Sequence, residues 1–236
     1  MTDDAAHDKK QPQEWGILSA TFWSIAAFFA PQFALVPFIG LVSSLAVDKN
    51  AQLFILQGIA ELTTLVVLWL VIRKVYHSNL QAIGLTKFSP GLIGWAVVAF
   101  PLYLVVSTLV SSIFGVLLGI NMYEQQNIGY SSPNGHELAL IFVALVMLAP
   151  FVEEVLFRGF LFRAFRNAFG FWIGAIGVSL LFAVAHGQVN VGMDVFVLSM
   201  FLCYLREKTG TLWTAIALHS LKNLVAFVVL FIMKVN

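Results

Sequence analysis

The stretch Leu138–Gly159, LALIFVALVMLAPFVEEVLFRG, sets the strongest condition on the fold. It plants two adjacent carboxylates and an arginine in a run otherwise apolar enough to cross a membrane. Its thirteen Leu, Ile, Val and Phe residues between 138 and 157 favour insertion by roughly 4 to 8 kcal/mol, while Glu153 and Glu154, charged near mid-bilayer, oppose it by roughly 5 to 7 kcal/mol. The two effects nearly cancel. Such a segment is tenable only at a membrane edge or in a protein-lined, wetted interior, and ionisable side chains at membrane depth are functional-site candidates by default.

The remainder of the chain agrees with a membrane setting. Of 236 residues, 60% are hydrophobic and 11% charged, with a mean hydropathy of +0.89, which is too apolar for a water-soluble domain of this length and indicates a polytopic, all-α membrane protein. The net charge of +1 carries no long block of one sign, so no nucleic-acid partner is expected. A lone Cys203 in an apolar run can form neither an intramolecular disulfide nor a cysteine-based metal site, and reads as packing.

Residues 1–14 form a polar tail of mixed sign, and 15–236 read as one transmembrane domain with its catalytic core at 137–225. The first apolar run, Trp15 to Val47, exceeds the ~7 to 15 residues of a signal-peptide core and is expected to be retained. Pro31 and Pro37 leave two forms open for it, one kinked helix or a helix plus a re-entrant piece. Further spans are expected at about 53–72, 92–119, 138–169, 171–186, 191–205 and 212–233, with a break at Gly170, giving about seven in all, or eight if the first run is split. Glu61 in the second span is expected to face inward, as packing or towards the active cavity. Ten of the thirteen Lys and Arg fall on the N-terminal side of this seven-span arrangement, which puts the N-terminus in the cytoplasm and the C-terminus outside.

Three pairs of residues, each with at least one polar member, recur at helical spacing. Glu154 and Arg158 are four apart and face one another, while Glu153 points about 100° away from its neighbour, so arginine can neutralise one glutamate and leave the other free to act as a base. Phe182 and His186 share a face of the fifth span. Gly170 lies 17 residues after Glu153 and 16 before His186, so both side chains should sit about 25 Å from the hairpin tip, at matching depth. In the last span His219 and Asn223 are again four apart; two aligned donors in a dry site suit an oxyanion formed during attack on a carbonyl. Lys222 and Ser220 point elsewhere and read as snorkelling or packing. The structural alternatives are a buried ion pair that only orients helices and interhelical hydrogen bonding.

EEVLFRG at 153–159, FAVAH at 182–186 and HSLKN at 219–223 resemble the ordered motifs EExxxR, FxxxH and HxxxN of the CPBP (Abi-like) family of intramembrane proteases, which contains type II CAAX prenyl endopeptidases and bacteriocin-processing or immunity proteins. The resemblance covers about Leu138 to Asn223; the first three spans match only in general character. It implies an all-helical endopeptidase core whose site opens towards the cytoplasm. In it, Glu153 and His186 activate a water, His219 and Asn223 hold the oxyanion, Glu154 and Arg158 fix the geometry, and Phe182 shapes the pocket. A metal-free glutamic mechanism is expected, since HExxH is absent; in the zinc-dependent alternative Glu153, His186 and His219 are the ligands.

The function expected is an intramembrane endopeptidase that hydrolyses peptide bonds near the cytoplasmic face of a prokaryotic plasma membrane. Its partners are then the lipid bilayer and a peptide or membrane-protein substrate. Two other readings stand beside it: a non-enzymatic immunity or scaffold protein of the same fold, and a transporter with a carboxylate relay, against which the chain shows no inverted repeat.

Overall fold

The computed structural model describes residues 15–122, 124, 129–130 and 133–233, so the polar tail at 1–14 lies outside the described residues. Within them the regular structure is entirely helical. Six helices are long and apolar enough to cross a membrane: α1 (Ile17–Ser43), α2 (Lys49–Val75), α3 (Pro90–Leu118), α4 (Gly135–Ala185), α5 (Val189–Thr209) and α6 (Trp213–Ile232).

The count differs from the sequence expectation in two places. The first apolar run is one helix with Pro31 and Pro37 inside it, so the split first span and the eight-span arrangement are not realised. The expected fourth and fifth spans are the two legs of the 51-residue α4. At Gly170 the backbone takes φ 77° and ψ 178°, and the leg at 171–185 runs back along the first. That return leg of 15 residues spans only about 22 Å, short of a hydrocarbon core of about 30 Å, yet it carries the chain from the Gly170 tip back to the far end, where α5 begins. A Cβ on Gly174 would lie 2.9 Å from the backbone nitrogen of Arg166, so the missing side chain is what lets the legs close at their tip.

Polar side chains start α2 and α4. Asp48 accepts from the Ala51 amide at 2.8 Å, and at the start of α4 the Asn134 side chain accepts from the Glu137 amide while Glu137 accepts from that of Asn134. The helices then divide sharply by burial. Of its most apolar 18-residue stretch, α4 has 56% buried, against 22% for α1 and α2 and 11% for α3. Hairpin α4 is thus the centre of the bundle, flanked by α5 and α6, while the outer faces of α1 and α3 present Phe22, Phe33, Val98 and Val116 to the surroundings.

One end of the bundle is stitched by the α2–α3 connection. Gly84 accepts from the Leu212 amide at 2.8 Å, Trp213 Nε1 donates to the Thr86 carbonyl at 2.8 Å, and Arg163 donates to the carbonyl of Ala82. Arg73, Lys74, Arg163, Arg166, Arg206 and Lys208 gather at this end. At the opposite end Asn190 Nδ2 donates to the Glu124 carbonyl at 2.6 Å and Asp48 lies 3.9 Å from His136.

Candidate active site

The polar residues of the EEVLFRG stretch sit on a helix whose hydrogen-bond register is altered on both sides. Glu153 and Glu154 close a short α-helical piece, Ala149–Glu154, between two π-helical segments, Val143–Leu148 and Val155–Leu161. Such wide turns re-aim side chains and occur preferentially at functional sites. Here one consequence is direct: Asn223 Nδ2 on α6 donates to the carbonyl of Leu145, inside the first π-helical segment, at 2.8 Å.

Glu154 is the hub. Its Oε1 accepts from Arg158 Nη1 at 2.9 Å and lies 2.8 Å from Nδ1 of His219, and all three residues are buried. One carboxylate oxygen thereby ties both turns of α4 to α6. Breaking such a buried pair by removing one partner costs about 3–5 kcal/mol, because it strands a charge. Glu153, pointing the other way, keeps its side chain 29% exposed, and its Oε2 lies 3.8 Å from His219 Nε2.

Phe182, in the return leg of α4, joins the remaining groups. The Arg158 guanidinium stands 4.4 Å over its ring, and the rings of His186 and His219 meet it edge-on at 4.7 and 5.9 Å. His186 Nδ1 is 2.8 Å from the Phe182 carbonyl; with Nδ1 donating there, Nε2 is left with a lone pair. Glu153, Glu154, Arg158, Phe182, His186 and His219 thus form one cluster across the two legs of α4 and α6. Within it, no hydrogen bond or ion pair joins His186 to Glu153 among the described residues; His219 is the histidine beside the first glutamate.

Glu153 also lines a cavity of about 310 Å³ between α1, α2 and α4. Glu61 and Gln57 of α2 face the same space, one helical turn apart. From the α3–α4 connection Tyr130 completes the wall, its hydroxyl donating to Gln57 Oε1 at 2.8 Å. Burial, together with the negative charge of Glu61, pushes the Tyr130 phenol up to about 12, so it stays a neutral donor. The inward expectation for Glu61 resolves in favour of the cavity, a placement its four-residue spacing from Gln57 already hints at.

A second polar cluster is invisible in the motifs. Tyr103 and Ser107 of α3 both donate to Oδ1 of Asp194 on α5, at 2.6 and 2.5 Å, and Lys222 of α6 lies 3.6 Å from Oδ2. Lys222 is therefore ion-paired inside the bundle, which corrects its reading as a snorkelling or packing side chain. As for zinc, Nδ1 of His219 is already engaged by Glu154, and among the described residues no three His, Cys, Asp or Glu side chains come together as a group able to hold an ion.

Residues 135–225, which carry all three motifs, match the family described as type II CAAX prenyl endopeptidase Rce1-like. Over 88 residues the chain is 32% identical to the "Uncharacterized 24.3 kDa protein" of Escherichia coli, a match covering 35% of this chain and 41% of that protein. It is 25% identical over 166 residues to the "Putative membrane peptidase YdiL" of Bacillus subtilis (strain 168), covering 70% of this chain and 67% of the relative. The chain thus spans less than half the length of the Escherichia coli relative. No solved structure matches it.

Proposed function

We propose, since residues 135–225 match the Rce1-like family, that this membrane protein is an intramembrane endopeptidase in which Glu153 draws the proton from a water as its oxygen attacks a peptide carbonyl. The observation that carries the reading is the division of labour between two adjacent glutamates. Glu154 is committed to Arg158 and His219, while Glu153, without a hydrogen-bond partner at Oε2, faces a cavity.

His186, its Nδ1 held at the Phe182 carbonyl and its Nε2 left with a lone pair, is the second group that orients the water. The carbonyl oxygen, as it becomes an oxyanion, is met by His219 and Asn223. In this role Glu154 holds Nδ1 of His219 and leaves Nε2 turned towards the substrate, and Asn223 uses the amide hydrogen not given to Leu145. Collapse of the tetrahedral intermediate breaks the C–N bond, and the proton held by Glu153 passes to the leaving amine. Arg158 and Phe182 position these groups without touching the substrate. No step requires a metal, and treatment with phenanthroline is expected to leave activity intact.

Orientation follows the arginines. With the basic end in the cytoplasm, the N-terminus lies inside and the C-terminus outside, and Glu153, ten residues from Arg163 along the helix, sits about 15 Å in from that end. Peptidomics of membranes holding the intact protein against membranes holding Glu153→Ala tests the activity. A peptide product present only with the intact chain is expected; identical peptide populations would overturn the reading. Single cysteines at 74 and 133, introduced after Cys203→Ser and labelled from either side in sealed vesicles, test the orientation.

A further inference from the structure

The basic end contains a cavity of its own. About 190 Å³ in volume, it is lined by Arg158, Arg163, Arg166, Asn167, Arg206 and Glu207, among others. Four guanidinium groups thus face it, against one carboxylate. Glu207 is taken by Arg166 at 2.8 Å, and the Glu154 partner of Arg158 lies on the catalytic side. Among the described residues no carboxylate comes within ion-pair distance of Arg163 or Arg206. Arg163 has only uncharged partners, the Ala82 carbonyl and the face of the Trp15 ring at 4.6 Å.

Polar atoms buried in the wall lack partners as well. Arg158, wholly buried, has neither Nε nor Nη2 hydrogen-bonded, and Arg206 Nε is buried without an acceptor. Leaving charged donors unsatisfied in this way is costly, and an anion removes the cost. The wall is also built to hold Arg206 in place: its guanidinium lies against the Gly84 backbone, where a Cβ would come within 2.6 Å of Cζ, and Gly84 itself has φ 91°. Planar guanidinium groups converging on a small cavity match phosphate oxygens bidentately. Trp15, buried beside Arg163 just before α1, places that cavity at the basic end of the bundle, level with the start of the first helix.

We infer that this arginine cavity is a binding site for a phosphate group, held between Arg163 and Arg206 with Arg158 behind it. Arg158 touches both this cavity and Glu154, so an occupant here contacts the residue that positions the candidate catalytic cluster. The inference does not depend on the peptidase reading.

Two sources supply such a group, an anionic phospholipid headgroup and a free phosphate, and the test separates them. Full-length protein in detergent is titrated with phosphatidylglycerol or phosphatidylcholine and followed by native mass spectrometry; in parallel its thermal unfolding is recorded with sodium phosphate against sodium chloride of equal ionic strength. A phosphatidylglycerol adduct, weakened about tenfold in Arg206→Gln and in Arg163→Gln but retained in Arg73→Gln, is expected and identifies a lipid headgroup. Stabilisation by phosphate alone, lost in the same two variants, identifies a soluble phosphate and supports the same site. Should Arg206→Gln not fold, Gly84→Ala displaces the guanidinium and is expected to weaken the same adduct. Binding of neither probe, or binding untouched by the Arg163 and Arg206 substitutions, overturns the inference.

Discussion

The two halves of the bundle handle polar groups inside the membrane in different ways. In α4–α6 the carboxylates are held by protein partners: Glu154 by Arg158 and His219, and the half-buried Asp194 by Lys222 with the help of two hydroxyls from α3. In the α1–α3 layer most of the surface is apolar and exposed, and its one acid at membrane depth, Glu61, is presented to a cavity. The lesson is that paired charges in this molecule build geometry, whereas unpaired ones mark places where something else is to be accommodated. Glu153, with no hydrogen bond at Oε2 and only His219 Nε2 near it at 3.8 Å, faces a cavity as Glu61 does although it sits in the first half, and this sets it apart from its neighbour.

The largest effect that tests this contrast is on catalysis. Glu153→Gln keeps size and hydrogen bonding but removes the base, and turnover of an identified substrate is expected to fall by about 10² to 10⁴ with thermal stability unchanged. Full activity in that variant would place Glu153 among the structural groups. Next comes Arg158→Met, which strands Glu154 and is expected to destabilise the protein by about 3–5 kcal/mol; adding Glu154→Gln should recover much of the loss. Unfolding in mixed micelles measures both, and a double variant no more stable than Arg158→Met would show that the pair does not act as a unit. Glu61→Gln belongs to the cavity class: it is expected to alter substrate preference through KM with little change in stability, and a fall in stability matching that of Arg158→Met would move it to the paired class.

How far the sequence discloses this arrangement depends on how local each signal is. Glu154 and Arg158, Phe182 and His186, and His219 and Asn223 are each separated by four residues, so helical periodicity alone pairs them. The reversal at Gly170 is legible because glycine there interrupts a long apolar pattern and φ 77° suits no side chain. The Asp194 cluster is not legible, since Tyr103 and its acceptor are 91 residues apart and no local feature of α3 announces a partner on α5. Nor are the π-helical segments around Glu153, whose sequences, VALVML and VLFRGFL, are ordinary helix material; the first packs on α6, the second on the return leg of α4 and on α1, contacts distant in sequence. The expected pairing of Glu153 with His186 rested on matched depth along the hairpin, and depth leaves rotation about the helix undetermined.

The smallest effect concerns one of the two hydroxyls that α3 sends to Asp194. Tyr103 is buried and its hydroxyl reaches Asp194 at 2.6 Å, yet Ser107 donates to the same oxygen and Lys222 faces the other. Removing one of several donors leaves the carboxylate satisfied, and interhelical hydrogen bonds in membranes average about 0.6 kcal/mol. Tyr103→Phe is therefore expected to cost about that much, measured by unfolding in mixed micelles, with the ring still packed against Phe201. Asp194→Asn should cost more, because it leaves Lys222 without its counter-charge inside the bundle. A Tyr103→Phe loss as large as that of Asp194→Asn would mean that the hydroxyl, and not the lysine, keeps the carboxylate in place, and α3 would then count among the helices that build the site.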